Sequence, residues 1–248
     1  MNTLLALTSR ELKAFWYSPI AYVIGAAFLL LQGFIFWLLV LALNDPSADP
    51  SVTITQTFFG PTFFYCTAVL ITVPFHTMRA FSEEKRTGTI EFLLTAPVTD
   101  AQVVLAKFFG AWIAYIALWA PTIVFFLFLQ HAAPFDWAPV FTGYLGTWLL
   151  GGVLIAIGML TSSLTRNQVI AAFLCFVVLL LLFCVGILDF FARDPETRKI
   201  LHHLSILNHL TDFAKGIVDT RPVVYYLSLG SIALFLTGRV IGNPRWRS

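Results

Sequence analysis

Six stretches of this chain, 19–43, 58–78, 109–130, 138–161, 168–188 and 222–238, contain no Asp, Glu, Lys or Arg. Runs of that length leave little choice of fold. A helix needs about 20 apolar residues to cross a bilayer, and the last stretch reaches this if it runs to about residue 241. In lipid each backbone N–H and C=O must be satisfied within the segment, which a helix of this length does. Composition agrees: 58% of residues are hydrophobic and 11% charged, too little charge for a soluble domain of 248 residues. The expected fold is an all-α integral membrane protein with six transmembrane helices, forming a single domain over 1–248.

Lys and Arg set the orientation. An even number of spans puts both termini on one side, together with Arg10, Lys13, Arg79, Lys85, Arg86, Lys107, Arg166, Arg239, Arg245 and Arg247. The other side holds Arg193, Arg198, Lys199, Lys215 and Arg221, all within 189–221. Loops 44–57 and 131–137 carry neither residue type. Both termini are therefore expected in the cytoplasm. The net charge of +2 is too small to argue for nucleic acid. Residues 1–18 are expected to form an interfacial helix, with Leu4, Leu5, Thr8, Leu12, Phe15 and Trp16 on one face and Ser9, Arg10 and Lys13 on the other. Pro19 marks the turn into the first span. The 25-residue block behind it is longer than the 7–15 residues of a signal-peptide core.

Several chemistries are missing. Ion-coupled transporters carry ionisable residues within their spans, and these blocks have no acids or strong bases. No Lys is followed by Ser or Thr, so no phosphate-binding loop exists. No Gly-x-Ser-x-Gly or His-Glu-x-x-His run is present. Cys66, Cys175 and Cys184 lie inside spans and read as small packing residues. His202, His203 and His209 lack acidic or Cys partners at a ligand spacing, so no metal site is expected. His76 reads as an interface residue, not as part of a proton relay. The chain itself is not expected to be an enzyme, so energy for any work must come from another polypeptide.

The largest polar feature is the segment 79–108, with "FSEEKRTGTIEFLLTAPVTD" at its heart. Gly88 breaks a short polar run, and Thr89 can cap a turn in which Ile90, Leu93 and Leu94 make an apolar ridge while Glu91 points elsewhere. Pro97 stops that turn, and Thr99 with Gln102 forms a capping box for the next long helix. A short apolar ridge held between breakers suits a groove on a soluble partner. The competing reading is a solvated connector, which leaves Leu93 and Leu94 without purpose.

The run "FSEEKRTGTIEFLLTAPVTDAQVVLAKFFGAW" resembles the signature of ABC-2 type exporter permeases, in which E-x-x-x-G-T-x-E-x-L-L precedes a small residue, Pro-Val and Ser or Thr ahead of the third span. Glu84, Gly88, Thr89, Glu91, Leu93, Leu94, Pro97, Val98 and Thr99 occupy those positions. The resemblance implies a coupling helix between spans 2 and 3 that docks on a separate cytoplasmic ABC ATPase, with Glu83, Glu84, Gly88, Thr89, Glu91, Leu93, Leu94 and Pro97 as coupling residues. It also implies that ATP and Mg are bound by that partner, with no cofactor in this chain. "LNHLTDFAKGIVDTRPVVYYLSL" and "NPRW" are similar to gliding-motility-associated and multi-copper-enzyme-maturation permeases. His209, Phe213, Lys215, Gly216, Asp219 and Arg221 carry that likeness and are expected to form an external gate.

The segment 189–221 is expected outside the membrane. Leu204, Ile206, Leu207, Leu210, Phe213 and Ile217 suit short helices that re-enter the outer leaflet, and ordinary surface helices are the alternative. The expected function is the permease subunit of an ATP-driven exporter, working as a homodimer in a bacterial inner membrane among membrane lipids. The alternative is a non-transporting energy transducer in which the same ATPase drives an accessory envelope or gliding-motility partner. An intramembrane enzyme is a third class, disfavoured by the absence of acids and His–Glu sets in the spans.

Overall fold

The computed structural model describes residues 2–44, 53–88, 99–132, 136–191 and 194–243. Among these residues the chain is helical and contains no strand, and six helices or helix runs are long and apolar enough to span a membrane. Helix α1 (Asn2–Trp16) precedes the first span, α2 (Pro19–Leu43). The second span is α3 (Ile54–Phe59) followed by α4 (Phe63–Thr77), with α5 (Ser82–Thr87) beyond it. The third is α6 (Asp100–Trp119), a 3₁₀ turn at Ala120–Thr122, and α7 (Ile123–Ala132). The fourth and fifth are α8 (Ala138–Ser163) and α9 (Gln168–Phe191). After α10 (Pro195–Leu204) and α11 (Leu210–Ala214), α12 (Thr220–Gly242) completes the bundle. The near end is here the one that carries α1, α5 and the α8–α9 turn, and the far end carries α10 and α11.

Two apolar blocks that read as continuous helices are interrupted. Gly60 and Pro61 end α3, and Thr62 restarts the chain by accepting the Tyr65 N–H at 3.3 Å. Pro121 supplies no N–H and breaks the ladder between α6 and α7. Thr122 Oγ1 repairs the gap by donating to the Trp119 carbonyl at 2.7 Å, and it lies 2.6 Å from the Tyr144 hydroxyl. An aromatic cluster surrounds both breaks. Phe59 stacks on Phe126 at 5.5 Å and meets Tyr144 edge-on at 4.8 Å, while Phe28 meets Trp119 at 5.1 Å.

Helix α8 is the axis of the bundle. In its most apolar window 72% of residues are buried, against 22–50% for the other spans. Its glycines permit this, because lipid supplies no hydrophobic drive between helices and close backbone approach has to do the work. A Cβ on Gly151 would lie 2.2 Å from the Tyr115 ring, and one on Gly158 would lie 2.2 Å from Thr77 Oγ1. The other spans turn large apolar side chains outward. Leu30, Phe34, Trp37 and Leu41 form one exposed stripe on α2.

Helix α1 packs differently from expectation. Leu4, Thr8, Glu11, Leu12 and Phe15 turn inward against α6, whereas Leu5 is 59% and Trp16 41% exposed. Four of the six residues expected on the packed face keep that place, and the face is rotated by only about a tenth of a turn, losing Leu5 and Trp16 and gaining Glu11. The reason is Glu11, whose partner lies on α6. The three cysteines are free thiols, with Cys175 buried and Cys66 and Cys184 half-buried.

Candidate functional site

The near end gathers polar side chains around the connection between spans 2 and 3. Helix α5 stops at Gly88, whose φ of +73° is a left-handed conformation that a Cβ would strain. On the other side of the connection, α6 opens with the expected capping box. The Gln102 N–H donates to Thr99 Oγ1 at 3.3 Å and the Thr99 N–H donates to Gln102 Oε1 at 3.1 Å. The expected coupling turn with Thr89, Glu91, Leu93, Leu94 and Pro97 lies outside the described residues.

What holds the described part is unusually explicit. Ser162, at the end of α8, accepts from the N–H groups of Phe81 at 3.1 Å and Ser82 at 3.2 Å and donates to the Met78 carbonyl at 3.1 Å. One buried hydroxyl thus satisfies three backbone groups of the turn between α4 and α5, while the Ala80 N–H bonds the Thr77 carbonyl. The Ser82 hydroxyl also donates to the Met78 carbonyl, and Lys85 Nζ donates to the Ser163 carbonyl. Arg79 Nε donates to Gln168 Oε1 at 3.1 Å, which ties α4 to the start of α9.

A second tie runs through Lys107. Its ammonium lies 2.7 Å from a Glu84 carboxylate oxygen and 3.2 Å from one of Glu11, with the Phe81 ring centroid at 5.5 Å. Lys107 is only 7% exposed, so the pairing is with protein and not water. Burial alone would raise the Glu11 carboxyl, but Lys107 and Arg10 outweigh it and hold it below its ordinary value. Gly110 leaves the room, since a Cβ there would sit 3.0 Å from Glu11 Cβ. His76 fills the space behind, with Nε2 2.9 Å from the Ala111 carbonyl and its ring 4.9 Å from Phe15.

Of the expected coupling residues, Glu84 thus faces inward onto Lys107, Glu83 lies 3.9 Å from Arg79, and Gly88 caps the C-terminus of α5. Glu11 and Ser162 had no place in the sequence reading, and Lys107 entered it only as one of the basic residues that set the orientation. The available signals were a single Lys inside an apolar helical run and a Ser pair at the end of the fourth block.

The segment between spans 5 and 6 folds against the bundle. Phe213 is fully buried, and the space beside it is provided by Gly146, where a Cβ would lie 2.8 Å from Phe213. Thr142 Oγ1 donates to the Phe213 carbonyl at 2.6 Å, and Tyr226 donates to the Ile206 carbonyl at 2.9 Å. Gly216, at φ +90°, turns the chain next to Pro139. His209 lies 4.5 Å from the Tyr225 ring, with Nε2 3.2 Å from the His203 carbonyl. Asp219 accepts the Arg221 N–H at 3.1 Å as the cap of α12, while the Lys215 and Arg221 side chains are exposed. Among the described residues, no three His, Cys, Asp or Glu side chains are grouped as metal ligands.

A six-span helical bundle, built around one glycine-rich span with a polar clamp at one end, defines a multi-pass membrane protein of the all-α class. Residues 41–241 match the family described as ABC-2 family transporter protein, most of the chain, and the chain belongs to that family. No curated protein matches it.

Proposed function

We propose that this chain is the permease subunit of an ATP-driven exporter, with a separate cytoplasmic ABC ATPase docking on the connection between spans 2 and 3. The observation that carries the reading is the clamp around that connection. Phe81 and Ser82 are held by Ser162, Glu84 by Lys107, and Lys107 by Glu11. A push on this connection would reach α4, α6 and α8 directly, because each is bonded to or continuous with the stretch 78–85, and α1 through Lys107. ATP closure of an ATPase pair would then tilt several spans at once.

On this reading the near end and both termini face the cytoplasm of a bacterial inner membrane, and ATP and Mg stay with the partner. Two copies of the chain would make the pathway, since the six apolar blocks of one copy carry no Asp, Glu, Lys or Arg to line a polar conduit. The gate residues at the far end, His209, Phe213, Lys215, Gly216, Asp219 and Arg221, would close the path externally. The likeness of 207–229 to gliding-motility permeases supports a variant in which the same machine drives an envelope partner. Helix α10, with Ile200 60% and Leu204 55% exposed, offers such a partner a contact surface.

The test is co-purification. Leu93→Asp with Leu94→Asp should abolish retention of the ATPase while the permease still inserts, because the spans are untouched. Retention at the level of the unmodified chain would refute docking at this segment.

A further inference from the structure

Beside the clamp, on the outer side of α4 and α5, the near end opens into a cleft of about 560 Å³ whose charge is unbalanced. Arg79, Arg86 and Arg166 line it, with Glu83 the lone carboxylate among its lining residues. That carboxylate lies 3.9 Å from Arg79, and Arg79 is further committed to Gln168. Among the described residues neither Arg86 nor Arg166 has a carboxylate partner, and Lys85 lies close enough to Arg166 to repel it. The first turn of the 24-residue helix α9 adds its N-terminal partial positive charge on the same side. Like charges gathered in a cleft and left uncompensated are stabilised by an anion, and guanidinium groups match phosphate oxygens two at a time.

The cleft also has an apolar wall of a particular kind. Val169 lines it and is 74% exposed. From Val169 an exposed stripe continues along α9 through Phe173, Phe176 and Leu180, which share one face at helical spacing. A cationic pocket opening directly onto a lipid-facing stripe has the polarity of a phospholipid: headgroup above, acyl chains below.

We propose that this cleft binds the phosphate headgroup of an anionic phospholipid, through Arg86 and Arg166 with Arg79 behind them, its chains lying along Val169, Phe173, Phe176 and Leu180. A free phosphate ion would use the arginines but gain nothing from the stripe. Glu83 and Arg86 of α5 line the cleft while Glu84 of the same helix meets Lys107, so occupancy would brace α5 from a second side.

Native mass spectrometry of the purified full chain in equal amounts of phosphatidylglycerol and phosphatidylcholine tests this. The unmodified chain should retain phosphatidylglycerol preferentially. Each cation removed should lower the preference about fivefold, as expected for a basic group at a lipid surface, so Arg86→Gln with Arg166→Gln should bring it close to parity. Arg239→Gln, at the near end but outside the cleft, should leave the preference unchanged. An equal loss in the Arg239 variant would reduce the effect to general surface charge and overturn the site. Displacement of the lipid by excess inorganic phosphate would make it a free-anion site and overturn the lipid assignment. Undiminished lipid preference in the double variant, accompanied by weaker ATPase retention, would assign the arginines to the protein partner instead. If the double variant does not fold, Arg166→Gln alone, on an exposed side chain, carries the same comparison.

Discussion

Lys107 and Glu84, 23 residues apart in sequence, meet at 2.7 Å where α5 and α6 converge. The same ammonium reaches Glu11 on α1 at 3.2 Å. One cation therefore sets the relative position of the N-terminal helix and of both flanks of the connection between spans 2 and 3. Because Lys107 is buried and the two carboxylates are mostly covered, removing the cation leaves two anions facing one another with little water.

Lys107→Met is expected to destabilise the protein by on the order of 3 kcal/mol, the cost of breaking a buried pair from one side. Thermal unfolding in a mild detergent measures it. Adding Glu84→Gln should recover part of the loss, since the second substitution removes one of the stranded charges. Strict additivity in this cycle would mean that the contact contributes nothing.

The Glu11 carboxyl is held below its ordinary value of 4.5, so its folded form binds a proton less readily than its unfolded form. The sign follows: its contribution is complete above about 4.5 and is lost as pH falls through the lower folded value. Melting temperature should therefore decline on acidification below that point, and Glu11→Gln should flatten this part of the profile. An unchanged acid limb in the variant would remove Glu11 from the account.

Ser162→Ala deletes the acceptor for two buried N–H groups, Phe81 and Ser82, at about 1–3 kcal/mol for each group left unsatisfied. Hydrogen exchange at those two amides should rise well above that of neighbouring α4 amides. If the clamp transmits motion, stimulation of the ATPase by the permease should fall while ATPase retention stays intact. Protected amides in the variant would count against the clamp.

Glycines at the two ends of the bundle predict opposite outcomes. Gly146→Ala places a Cβ 2.8 Å from Phe213 and should cost about 1–3 kcal/mol through overpacking. Gly238→Ala meets nothing within 4 Å and should stabilise α12 by about 0.5–1 kcal/mol, the helix preference for Ala over Gly. Phe213→Asp buries an unpaired charge at a fully covered position, so it should disrupt the far end as structure before it affects any gate. Equal melting temperatures for the two Ala variants would contradict the packing around Gly146.

The six spans were legible in the linear chain because lipid imposes one dominant requirement: long apolar blocks whose backbone bonds close locally. The Thr99–Gln102 capping box was legible for the same reason, since both of its hydrogen bonds lie within one turn. Tertiary structure decided what depended on distant partners. Glu11 turned the packed face of α1 because Lys107 waits 96 residues away. Ser162 became the anchor of the 78–82 turn because it lies at the end of α8, beside backbone groups some 80 residues earlier. Helix α8 became the axis although its mean hydropathy, 1.8, lies within the 1.5–3.2 of the other spans, because its glycines, which carry almost no hydrophobic signal, are where Tyr115, Thr77 and Phe213 approach. Apolar length is a property of a segment and can be read from it. A close approach or a shared charge belongs to two segments and exists only once the fold has brought them together.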